Sequence, residues 1–83
     1  MTQNELLLKI RNAFPNNDKD FQEIIVAALD IGFVTERDLA RGAGASLATI
    51  RRWKEGKNSP HPIMRPYVFR YLIEKLQEEK YLK

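Results

Sequence analysis

The chain has 83 residues, 30% of them charged, a net charge of +3 and no cysteine. That length suits one small core, so a single domain over 1–83 is expected, and the lack of cysteine excludes disulfides, thiolate zinc sites and a cysteine nucleophile. No stretch approaches the roughly 18 apolar residues of a membrane span, and the start has neither a long apolar run nor a small-residue cleavage site, so a soluble cytoplasmic protein without membrane contact is expected.

The pattern is helical throughout, which predicts an all-α fold. Thr2 with Glu5 three residues on has capping-box spacing, and Leu6, Ile10, Ala13 and Phe14 then share one face, giving a first helix over 2–14. Pro15 and the Asn-Asn-Asp run stop it, so that 1–15 forms an N-terminal extension. Asn17 or Asp18 can cap a second helix, whose stripe of Phe21, Ile24, Ile25, Ala28 and Leu29 ends at Gly32. Thr35 and Asp38 repeat the capping spacing for a third helix running to about Gly42. Ser46 caps a fourth that ends at Gly56, and the segment Asn-Ser-Pro-His-Pro turns. Pro66 suits a first helical turn, which sets the C-terminal helix at 66–81.

Charge divides the chain. Residues 1–34 sum to −2, whereas residues 41–70 carry seven cations against Glu55 alone. A basic middle beside an acidic start is the footprint of a polyanion binder, with a solvated charged surface as the plain alternative. The spacing within 35–56 sharpens it. Only Gly42 to Ala45 separate the third and fourth helices, Gly44 can take the left-handed conformation of a tight turn, and Ala40 is small enough for close approach. Ile50 and Trp53 share an inner face of the fourth helix. At about 100° per residue the opposite face presents Ala48, Arg51, Arg52 and Glu55, with Leu47 and Lys54 at its margins. A helix that enters a DNA major groove needs an apolar inside, a basic outside and a small residue near its start.

On these residues, the segment from Phe21 to about Pro60 resembles the helix-turn-helix of the lambda-repressor and Cro type, the xenobiotic-response-element family of small bacterial and phage regulators. The matching positions are Leu39 and Ala40, Gly44 in the turn, Ser46 as cap, Thr49, Ile50 and Trp53, then Gly56, Lys57 and Pro60. The resemblance implies a compact five-helix domain, here with an extra N-terminal helix, and a sequence-specific double-stranded DNA-binding regulator of the repressor, phage or antitoxin-autoregulator kind, usually a homodimer on a near-palindromic operator. It implies base reading by Leu47, Ala48, Arg51, Arg52 and Glu55, and phosphate contacts from Thr35, Arg37, Ser46, Lys54, Lys57 and Asn58. A partner protein is compatible with it.

Departures keep a second class open, a helix-turn-helix fold retained as a protein–protein module without DNA binding. Glu36 stands where the family commonly has glutamine, and Leu47 and Ala48 cannot make bidentate bonds to bases, so readout would fall on Arg51 and Arg52. Glu55 can pair with Arg51 at i,i+4 or accept from a cytosine amino group. His61 lies in a turn without carboxylate or cysteine at ligand spacing, and no nucleophile–base set or phosphate-binding glycine loop is visible. No metal, cofactor or enzymatic activity is expected. Leu7 and Leu8 on the first helix, and Tyr67 and Tyr71 beside the Phe69, Leu72, Ile73 and Leu76 stripe of the last, are surplus apolar groups that predict dimerisation through the terminal helices.

Overall fold

A computed structural model describes residues 1–14 and 16–81. Five helices occur among them: α1 (Gln3–Asn12), α2 (Asp18–Ile31), α3 (Glu36–Ala43), α4 (Leu47–Glu55) and α5 (Arg65–Tyr81), with no strand in the described residues. The fold is all-α, as the sequence pattern predicts. Among the described residues no helix is long and apolar enough to cross a membrane.

The starts of α1 to α4 are each set by a side chain that satisfies an otherwise unpaired backbone N–H of the first turn. Thr2 accepts from the Glu5 N–H at 3.1 Å while Glu5 Oε1 accepts from the Thr2 N–H at 3.2 Å. Thr35 and Asp38 make the same reciprocal pair. Asn17 rather than Asp18 caps α2, accepting from the Asp20 N–H, and Ser46 caps α4 through the Thr49 N–H. α3 runs one residue past the expected Gly42 and closes with a left-handed Gly44 (φ 67°); the Ala45 N–H then reaches the Ala40 carbonyl at 2.9 Å. Gly56 (φ 76°) ends α4 in the same way, with the Lys57 N–H on the Arg52 carbonyl. Such paired bonds turn the chain sharply at a helix end.

One apolar cluster unites the helices. Leu6 and Ile10 of α1, Phe21, Ile24, Ile25 and Ala28 of α2, Val34, Leu39 of α3, Ile50 and Trp53 of α4, and Val68, Phe69, Leu72 and Leu76 of α5 are buried in it. Phe21 is the hub. Its ring meets Trp53 edge-on at 5.4 Å and Phe69 at 5.8 Å, so α2, α4 and α5 converge on one aromatic side chain.

Three expectations are corrected. Phe14 does not join the α1 stripe: the chain turns extended at Ala13 (ψ 143°), and Phe14 is 69% exposed. Residues before a proline are driven from the helical region, which shortens α1; Pro15 itself and residues 82–83 lie outside the described residues. Tyr71 is not surplus. Its ring lies on the α3 backbone at Gly42, where an added Cβ would sit 2.6 Å from ring carbons Cδ1 and Cζ. Leu7 is half-buried against the core, which leaves Leu8 and Tyr67 exposed. Val68 and Arg65 enter the buried set without having been expected there.

Candidate nucleic-acid interface

α4 packs on the core by its inner face. Ile50 is fully buried and Trp53 nearly so, with Ile50 and Leu39 of α3 in the same cluster. On the α2 side the Gln22 amide donates to the Lys54 carbonyl at 3.2 Å. An added Cβ at Gly56 would come within 2.7 Å of that amide, so the end of α4 approaches α2 closely. These contacts fix the helix axis while leaving its other face to solvent.

The residues expected on that face take separate places. Ala48, Arg51, Arg52, Lys54 and Glu55 are exposed; Leu47 is half-buried at the margin. Arg37, Lys57 and Asn58 are exposed as well. Thr35 and Ser46 already serve as caps, and Ser46 Oγ also lies 2.9 Å from Thr49 Oγ1. Asn58 Oδ1 accepts from the Ser59 N–H, which shapes the exit loop.

Ion pairing differs from the sequence expectation. Arg51 does not pair with Glu55. Its Nε lies 3.4 Å from Oε2 of Glu36, the first residue of α3, while Glu55 pairs with Lys57 at 2.9 Å. The Lys57 ammonium is the main reason the Glu55 carboxyl is held below the ordinary carboxylate range. The Glu36 contact ties the start of α3 to the middle of the outer face of α4. No spacing within one helix announces such a pair, because it depends on the angle between two helices. Arg52 and Lys54, in the last turn of α4, have no ion-pair partner among the described residues.

Arg65, one of the seven cations of the basic middle, does not belong to the exposed face. It is 3% exposed. Its Nε donates to the Pro60 carbonyl at 2.9 Å, Nη2 donates to Ser59 Oγ at 3.0 Å and pairs with Asp18, and the guanidinium lies 5.5 Å from the centroid of the Phe21 ring. It pins the loop after α4 to the start of α2. The nearby prolines gave no signal of this in the sequence.

Among the described residues no group of His, Cys, Asp and Glu is arranged to hold a metal. His61 Nδ1 accepts from the Ile63 N–H at 3.2 Å, a turn contact. No family model matches the chain, and no curated protein or solved structure matches it either.

Proposed function

We propose that the protein is a sequence-specific double-stranded DNA-binding regulator of the helix-turn-helix kind, with α4 as the helix that enters the major groove. What supports this most directly is the build of α4: Ile50 and Trp53 buried on one side, Arg51, Arg52 and Lys54 exposed, and a capped N-terminus leading off a tight glycine turn. An exposed Ala48 near the start leaves room for close approach to base edges. Arg51 and Arg52 are the base-reading candidates, with Leu47 and Ala48 suited only to thymine methyl contact. Lys54, Lys57, Asn58, Arg37 and the hydroxyls of Thr35 and Ser46 are the phosphate-side candidates. Binding as a homodimer would give two half-sites about 10 bp apart or a multiple of that. Leu8 and Tyr67 are the exposed apolar groups on the terminal helices for such an interface.

The test is binding to random duplexes across a salt series, with selection of any preferred site. A binder making several phosphate contacts shows a steep fall of log affinity with log salt. Arg51→Ala or Arg52→Ala should cost about 1–3 kcal/mol on the selected site, whereas Lys57→Ala should weaken all duplexes alike and flatten the salt slope by about one. Absence of duplex binding at moderate salt refutes the proposal. It would favour the fold acting as a protein-binding module, a reading supported by the two cations, Arg51 and Lys57, that are already paired within the chain. Sedimentation at micromolar concentration tests the dimer, with Leu8→Glu and Tyr67→Glu expected to return it to a monomer.

A further inference from the structure

Resting on the DNA-binding reading above, we infer that Gln22 of α2 is a positioning residue for α4: it sets where the last turn of that helix, with Arg52 and Lys54, meets the duplex. The two ends of α4 are fixed in different ways. The first end is fixed locally, by the Gly44 turn and the Ser46 cap. The last end is held from another helix.

A helix leaves its last four carbonyls without partners in its own ladder. In α4 these belong to Arg52, Trp53, Lys54 and Glu55. The Gly56 N–H serves the Arg52 and Trp53 carbonyls, and the Lys57 N–H serves that of Arg52. Neither serves Lys54. The Lys54 carbonyl accepts instead from the Gln22 amide at 3.2 Å, across 32 positions of the chain. Gly56 makes room for this bond. A Cβ there would lie 2.7, 2.9 and 3.0 Å from Nε2, Cδ and Oε1 of Gln22, so the whole amide rests over the bare glycine. Gly56 thus serves twice: its φ of 76° closes the helix, and its missing side chain admits the amide.

Gln22 follows Phe21 on α2, and Lys54 follows Trp53 on α4. Two adjacent residues on each helix therefore meet through one apolar and one polar contact. Phe21 lies edge-on to Trp53 at 5.4 Å, and Gln22 holds the next peptide along. Apolar packing is non-directional and tolerates a small rotation of α4 about its axis. A hydrogen bond to a single peptide is directional and does not.

Arg52 and Lys54 depend on that restraint. Both are exposed, and among the described residues no ion pair holds either side chain. Where their charges reach is set by the backbone of the last turn. A neutral amide suits the task. A carboxylate at position 22 could not donate to the carbonyl, and its charge would offset that of Lys54. The amide anchors the turn and leaves its positive field intact.

The probe is the duplex that the wild type selects from a random pool. Its affinity is measured for the wild type, Gln22→Met, Gln22→Asn and Arg52→Ala/Lys54→Ala, and for Gln22→Met added to Arg52→Ala/Lys54→Ala and to Arg37→Ala. Methionine matches glutamine in length but has no donor. Asparagine keeps the amide one carbon short, and carries the comparison if the methionine variant folds poorly. In the expected result each single Gln22 variant, held well below its melting temperature, binds about fivefold more weakly. The same loss appears in the Arg37→Ala background, because Arg37 belongs to α3. It vanishes in Arg52→Ala/Lys54→Ala. Amide hydrogen exchange in the free Gln22→Met protein rises at Gly56 and Lys57 and stays unchanged at Thr49 and Ile50. The inference is overturned, with DNA binding left standing, if the wild type selects a duplex that the Gln22 variants bind as tightly. It is also overturned if the loss persists undiminished without Arg52 and Lys54, or if exchange rises along the whole of α4, either being the mark of a purely structural role. A wild type that retains no duplex overturns both the inference and the reading beneath it.

Discussion

Arg65 and Arg51 are the same residue type in two opposite settings. Arg65 closes one side of the molecule: nearly all its surface is removed from water, and a carbonyl, a hydroxyl, a carboxylate and an aromatic face meet its guanidinium. Arg51 stands on the open face, where one carboxylate touches one edge of its head and water takes the rest. The contrast teaches that charge count alone does not mark a binding surface. A desolvated cation with several partners is part of the scaffold, because removing it leaves acceptors unmet. A solvated cation adds little to stability and remains free to act on a ligand.

The largest expected effect tests the closed side. Arg65→Ala should lower stability by about 2–3 kcal/mol, since charge-assisted bonds to Pro60 and Ser59 and packing on Phe21 are lost together. Asp18 is 77% exposed, so water can take over its carboxylate and the loss stays below that of a fully buried pair. Arg65→Lys should fall between wild type and Ala, because a point charge cannot span the same acceptors. Denaturant melts giving Lys as severe as Ala would reduce the contribution of Arg65 to bulk alone.

The α3–α5 contact is a second close-packed region. Gly42→Ala should destabilise by about 1–2 kcal/mol, although alanine is the better helix former, because the new Cβ meets the Tyr71 ring. In a Tyr71→Ala background the same change should become neutral or stabilising. A wild-type melting temperature for Gly42→Ala alone would mean that the ring yields freely.

At the border between the two sides, Thr35→Ala removes the acceptor for the Asp38 N–H and should cost about 1 kcal/mol by thermal melt. Because Glu36 follows directly, the variant should also loosen Arg51. On the open face, Arg51→Ala should shift stability by less than about 0.5 kcal/mol. A drop comparable to that of Arg65→Ala would erase the distinction between the two arginines.

The smallest expected effect is in acid. Backbone hydrogen bonds to Thr35 hold the Asp38 carboxyl below its ordinary 3.8, and the Thr2 and Lys57 contacts hold Glu5 and Glu55 below their ordinary 4.5. The unfolded chain therefore binds protons first as pH falls. The contribution of these groups is full above those ordinary values and declines as pH drops through them. Melts between pH 6 and 2 should show a shallow loss confined to the acid end. A loss beginning near neutrality would point to another group.

The sequence by itself determined that the fold is all-α and, except at the end of α1, where the helices start and stop to within a residue. The capping pairs Thr2–Glu5 and Thr35–Asp38, the caps Asn17 and Ser46, and the left-handed Gly32, Gly44 and Gly56 close bonds within a few residues, so linear spacing encodes them. The outer face of α4 was legible for the same reason, since Ile50 and Trp53 fix it by helical period. Tertiary structure alone decided which neighbours those faces acquired. It buried Arg65, set Tyr71 on Gly42, and gave Arg51 to Glu36 rather than to Glu55. Each of these depends on the angle and distance between separate helices, which the burial of Phe21 against Trp53 and Phe69 fixes and no local spacing records.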